Sequence, residues 1–161
     1  MKQKKTLIIL SIVCLLCIAG MILALTLGKR EKVVFTPPPF EESAQTGAPE
    51  VSEDSYGQLE LQTYSVMLCG NPELMKKGLQ LWLTNPESNH AWIKVRVFDT
   101  EETLLGESGL LRPGEYLQYV ALQQRLEPGE DVILVVMGYE PDTYHSIGNA
   151  KLQISISEST R

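Results

Sequence analysis

The chain has 161 residues, 20 acidic against 14 basic side chains, and a formal net charge of −6 at pH 7. With two histidines and three cysteines, this balance argues against a nucleic-acid binder, a Cys/His metal centre and a disulfide-braced domain. Cys14 and Cys17 lie together in an apolar run, so Cys69 stands by itself in the rest of the chain.

Residues 1–5, with Lys2, Lys4 and Lys5, read as a basic cytoplasmic tail. The run Thr6 to Gly28 carries no charge. As a helix it reaches roughly 34 Å, against about 30 Å for a bilayer core. It exceeds the roughly 7–15 apolar residues of a cleavable signal and lacks an Ala-x-Ala cleavage pattern. Neither Cys14 nor Cys17 is preceded by a lipobox, so both read as small apolar residues of a membrane helix. The expectation is an uncleaved, single-pass signal-anchor, residues 6–28, embedded in lipid. Basic residues flank it on both sides, so they orient it only slightly. From Val33 onward there are 8 basic and 19 acidic residues, and that poverty of Lys and Arg suits an exported domain. The expected topology is N-terminus inside and C-terminal domain outside the cell membrane.

Residues 29–58 read as a flexible acidic tether. Pro37-Pro38-Pro39 is stiff and cannot donate to a sheet. Glu41, Glu42, Glu50, Glu53 and Asp54 follow with few apolar neighbours, too little surface to offset the entropy of ordering.

Residues 59–161 read as a β-sandwich domain. Leu79, Leu81 and Leu83 alternate with polar or amphipathic neighbours, as do Ile93, Val95 and Val97, and Ala150, Leu152, Ile154 and Ile156. That period of two marks half-buried strands. Val132 to Tyr139 is apolar throughout and reads as a central strand. Weaker strands are expected at Tyr64–Cys69, Thr103–Leu111 and Tyr116–Leu122. The short gap Asn85 to Asn89 suits an antiparallel hairpin, and Pro72 to Lys77 could form one helical turn. Leu111-Arg112-Pro113-Gly114-Glu115 and Leu126-Glu127-Pro128-Gly129-Glu130 share one pattern. Proline fits the first central turn position and glycine the positive φ that follows. About seven short antiparallel strands predict an all-β fold, a two-sheet immunoglobulin-like sandwich behind the transmembrane helix.

The stretch Leu83-Thr84-Asn85-Pro86, the strand Trp92 to Phe98 and the two Pro-Gly-Glu turns resemble small immunoglobulin-like or fibronectin-III-like domains. They are similar to those on single-pass surface proteins of Gram-positive bacteria. The resemblance spans about residues 60–158 and is one of pattern. It implies an extracytoplasmic, membrane-tethered, non-catalytic module, and it carries over no functional residue. The C-terminus Ser157-Glu158-Ser159-Thr160-Arg161 has no apolar tail of the kind a wall-sorting signal needs.

Convergent chemistry is sparse. His90 and His145 fall in predicted loops, and their neighbours Ser88 and Ser146 lack an elbow motif. Asp99, Glu101 and Glu102, and Glu130 with Asp131, sit in turns without a calcium-loop pattern. No enzyme activity, cofactor or metal is expected. One patch stands out: Trp92, Lys94 and Arg96 share a strand face, with Trp82 on what reads as the neighbouring strand. Such a patch suits a sugar ring or a peptide. The leading expectation is a structural or protein-interaction module, an accessory subunit of an envelope complex with a protein partner. The alternative is a surface carbohydrate- or peptide-binding module using Trp82 and Trp92, with cell-wall glycan as ligand.

Overall fold

The computed structural model describes residues 12–21, 23, 35–51 and 56–157. The chain divides into two compact units, Met1–Thr36 and Pro37–Arg161. In the first, residues 12–21 are helical with exposed side chains. No helix among the described residues is long and apolar enough to cross a membrane. Both ends of the predicted span 6–28 lie outside the described residues, as do the tail 1–5 and the start of the tether.

Among the described residues, the second unit has ten strands in two antiparallel sheets. Sheet I runs β1(Gln45–Thr46)-β8(Glu115–Val120)-β5(Gly78–Thr84)-β3(Ser65–Cys69)-β2(Tyr56–Glu60), with β4(Glu73–Met75) also paired to β5. Sheet II runs β10(Ser146–Ser155)-β9(Asp131–Tyr139)-β6(Trp92–Phe98)-β7(Leu104–Glu107). The expected alternation is realised. Leu79, Leu81 and Leu83 of sheet I and Ile93, Val95 and Val97 of sheet II are all at most 1% exposed, and all belong to one core. Val66, Leu117 and Val120 join them from sheet I, and Val132, Leu134 and Val136 from sheet II. Burying each such side chain contributes about 1.5–3 kcal/mol. Strand β9 lies between β10 and β6, as its apolar composition predicted.

Two local expectations are corrected. Asn85 to Asn89 does not close a hairpin, because β5 belongs to sheet I and β6 to sheet II. The loop crosses between sheets and is held by buried amides. Asn85 Nδ2 donates to the carbonyls of Ala91 (2.8 Å) and Leu111 (2.9 Å). Asn89 Nδ2 donates to Ser65 O and to Asn85 Oδ1, both at 2.6 Å, and Asn89 Oδ1 accepts the Ser65 N–H at 3.0 Å. Pro72 to Lys77 is not helical: Glu73–Met75 forms β4, and Lys76-Lys77 turn the chain back into β5.

The two Pro-Gly-Glu turns are congruent. Gly114 and Gly129 take φ of 80° and 87°. In each, the glutamate N–H donates to the carbonyl three residues back, Glu115 to Arg112 at 3.1 Å and Glu130 to Glu127 at 3.2 Å. Each glutamate carboxylate also accepts the N–H of that same residue, at 2.7 and 3.1 Å.

The domain starts upstream of the predicted boundary at 59. Within the stretch read as tether, Leu110 N donates to Pro39 O and Glu41 N to Leu110 O, both at 2.9 Å. Gln45 and Thr46 form β1 against β8, and Gly47 N donates to Gly114 O at 2.9 Å. This strap succeeds where composition predicted mobility because its polar groups find backbone partners on the sandwich.

Candidate functional site

The four residues singled out in the sequence lie on opposite sides of the sandwich. Trp82 is in β5 of sheet I, whereas Trp92, Lys94 and Arg96 are in β6 of sheet II. Since Asn85 to Asn89 crosses between sheets, β5 and β6 are not neighbours, and the single predicted patch does not form.

On sheet II, Trp92 is half-buried between Phe40 and Tyr144, with ring centroids at 4.8 and 5.0 Å. The Arg112 guanidinium lies over the Phe40 ring, 3.7 Å from its centroid. Lys94 is 7% exposed, and its ammonium sits 2.9 Å from Glu107 Oε1. Arg96 Nε meets the other oxygen of that carboxylate at 3.1 Å. Burial acts to raise the Glu107 carboxyl, but Lys94 and then Arg96 outweigh it and hold its pKa below the ordinary carboxylate value. Both cations are therefore engaged by one acid, and the strap residue Phe40 occupies the Trp92 surface. Below them, β9 turns Ile133, Val135, Met137 and Tyr139 outward, half-buried and flanked by Phe98.

On sheet I the surroundings of Trp82 differ. A register shift between Gln80 and Leu83 interrupts the pairing of β5 with β8, and Trp82 at that bulge has φ of 50°. For a bulky aromatic residue a positive φ is a genuine outlier, and bulges re-aim side chains. The indole lies 6.1 Å from the Tyr116 ring, with planes inclined by 33°. Tyr116 Oη donates to Gln45 Oε1 at 2.6 Å. Beside it, the Tyr119 hydroxyl accepts from Gln118 Nε2 at 2.8 Å and Gln80 Nε2 at 3.5 Å. A groove of about 830 Å³ adjoins this face, lined by Thr46, Tyr56, Met67, Thr84, Pro86 and Pro113 among others. Thr84 is the register partner of Tyr116, and the Tyr56 hydroxyl donates to Thr84 Oγ1, so groove and aromatic face are contiguous.

No family model, curated protein or solved structure matches the chain. Its chemistry is therefore read from the residues alone. His90 is exposed, and His145 lies 3.9 Å from Glu140, both side chains being open to solvent. Among the described residues no group of three or more His, Cys, Asp or Glu is placed to hold a metal ion. Cys69 is buried at the end of β3, its Sγ 3.4 Å from Asn71 O. Asp99 Oδ1 accepts the N–H groups of Glu101 (2.9 Å) and Thr103 (2.7 Å), which closes the β6–β7 turn.

The sequence reading missed Tyr116, Tyr119, Gln118 and Gln45 around Trp82. Gln80 and Trp82 were legible as outward residues of one strand. Their partners come from a strand more than thirty residues later and from the strap, and no local spacing connects them.

Proposed function

We propose that this chain is a single-pass, membrane-anchored, extracytoplasmic module that binds a protein partner and performs no catalysis. The apolar run 6–28 is the anchor, and the sandwich is of the immunoglobulin-like class. Supporting that class, β3-β5-β8 faces β7-β6-β9-β10, and the chain changes sheet at β5–β6, β7–β8 and β8–β9. The observation that carries the interaction reading is the outer face of β9. Ile133, Val135, Met137 and Tyr139 form an apolar strip, with charged Arg96, Glu107 and Lys151 around it. An apolar centre with a charged rim is the composition of a protein interface.

Two measurements test this. In protease shaving of intact cells carrying a C-terminally tagged copy, the tag is lost if the domain is outside. A tag that survives in intact cells and is digested after lysis overturns the topology. A photo-crosslinking residue at position 135 captures one specific protein, and Met137→Asp abolishes that product. Equal capture from position 58, exposed on strand β2 of sheet I, overturns the assigned face.

A second reading, recognition of a glycan, is favoured by the Trp82 face.

A further inference from the structure

We infer that the outer face of sheet I around Trp82 is a binding platform for a neutral polysaccharide chain. This deepens the second reading above and is independent of the protein-binding face on sheet II.

The composition of the face is the first argument. Gln45, Gln80, Trp82, Tyr116, Gln118 and Tyr119 are all uncharged, in a chain where 21% of residues are charged. They present aromatic rings and amides together. Sugar rings need that combination: their axial C–H groups pack on the electron-rich face of an aromatic ring, and their hydroxyls exchange hydrogen bonds with amides. An acidic peptide or a phosphate would require cations here. The charged groups at its border are Lys77, with Nζ 5.9 Å from the Tyr119 ring centroid, and Glu73, the register partner of Gln80.

Geometry is the second argument. Trp82 and Tyr116 are inclined by only 33° with centroids 6.1 Å apart. Neither ring stands edge-on to the other, unlike the edge-to-face packing at Trp92, where the interplanar angle with Phe40 is 79°. Such a pair offers a sugar ring an aromatic face rather than an edge. The amides stand beside it already oriented, because Gln80 and Gln118 both donate to the Tyr119 hydroxyl and Gln45 accepts from that of Tyr116. Each amide keeps further donor or acceptor capacity for a ligand. Fixing these side chains in advance lowers the entropy lost on binding.

Backbone strain is the third argument. Trp82 is held at φ 50°, a conformation disfavoured for a bulky aromatic residue, and such outliers cluster at ligand sites. Core packing does not account for it, since the Trp82 side chain is half-buried and outside the core. The contiguous groove of about 830 Å³ gives a chain of several sugars a path beyond the platform.

The test uses the full-length protein in a zwitterionic, non-glycosidic detergent, since an alkyl glycoside would compete. The chain has two tryptophans, so in Trp92→Phe the indole of Trp82 is the sole reporter. This variant is titrated with maltohexaose, cellohexaose and chitohexaose, and in parallel with a proline-rich peptide. The expected result is a saturable shift of indole emission with at least one oligosaccharide. Adding Tyr116→Ala or Gln118→Ala weakens it about tenfold or more, whereas Val135→Asp on the other face leaves it unchanged. Thermal melts confirm that each variant is folded, and Gln118→Ala serves should Tyr116→Ala destabilise the sheet. No saturable shift with any oligosaccharide overturns the proposal, as does a shift that survives both substitutions. A response to the peptide alone also overturns it and makes the face a peptide site. None of these outcomes touches the crosslinking result at position 135, so the two readings fail separately.

Discussion

The carboxylate of Glu41 accepts the backbone N–H of Gly109 at 2.7 Å, joining two residues 68 positions apart in the chain. The same carboxylate accepts the N–H and hydroxyl of Ser43 at 3.2 and 2.5 Å. Burial acts to raise the Glu41 carboxyl, but these hydrogen bonds outweigh it and lower its pKa. The approach is close enough that it needs glycine: a Cβ on Gly109 would lie 2.5 Å from Glu41 N and 2.6 Å from its Cα.

That lowered pKa sets a pH dependence. A carboxyl whose folded pKa lies below its unfolded value stabilises the fold above the unfolded value, about 4.3 for glutamate. The contribution is lost as pH falls through the folded value. Glu41→Gln is therefore expected to lower Tm at pH 7 and to approach wild type as the buffer is taken below pH about 4. Melting curves across that range check it; a constant difference at every pH would assign the loss to shape rather than charge.

Gly109→Ala should release the strap without unfolding the sandwich. The new methyl meets backbone, which cannot rotate away, so a destabilisation of about 1–3 kcal/mol is expected. Limited proteolysis reads it directly, through faster cleavage between Pro39 and Gly47 while residues 56–157 stay resistant.

The asparagine pair in the sheet-crossing loop should be worth more than any surface polar residue. Asn85 is fully buried, and its amide serves the carbonyls of Ala91 and Leu111. Removing it takes the amide donor from the Ala91 carbonyl, at a cost of about 1–3 kcal/mol, while the Leu111 carbonyl keeps the Ile93 N–H at 3.1 Å. Asn85→Ala is therefore expected to shift the urea midpoint strongly, whereas Ser88→Ala in the same loop leaves it within error.

Lys94 offers a comparison of charge with shape. Lys94→Met keeps the apolar stem that fills the site but leaves Glu107 with Arg96 as its remaining cation. Lys94→Ala loses the stem as well and should destabilise more, because packing and charge are removed together. Equal chemical denaturation curves for the two variants would show that the stem contributes nothing.

Replacing Val95 with Asp should unfold the domain. Val95 is fully buried in the core, and an unpaired charge there costs several kcal/mol against a typical total of about 5–15. Loss of the cooperative melt is the expected readout, while Val135→Asp, on the outer face of the same sheet, retains it.

Much of the fold could be read from the amino-acid order because its signals are local. Leu79 to Leu83, Ile93 to Val97 and Leu152 to Ile156 alternate with period two, which specifies the buried face of each strand whatever its neighbour. Pro113-Gly114 and Pro128-Gly129 carry their turn geometry in their own φ preferences. The acidic balance and the uncharged run 6–28 are likewise properties of composition.

Pairing partners are not local, and there the tertiary structure decided. Whether Asn85 to Asn89 turns back within a sheet or crosses to the other depends on what buries its amides, and Ser65 of β3 and Leu111 of the β7–β8 connection supply those partners from distant parts of the chain. That crossing separated Trp82 from Trp92. The bulge that presents Trp82 arises from mismatched register with β8, a relation between two strands rather than a property of either. The strap from Pro39 to Gly47 reads as spacer by composition, and it is ordered because Gly109 and Leu110 give its backbone and Glu41 a place to bond. Alternation chooses the face of a strand, but only long-range hydrogen bonding and close packing choose its neighbours, and on those neighbours the candidate sites depend.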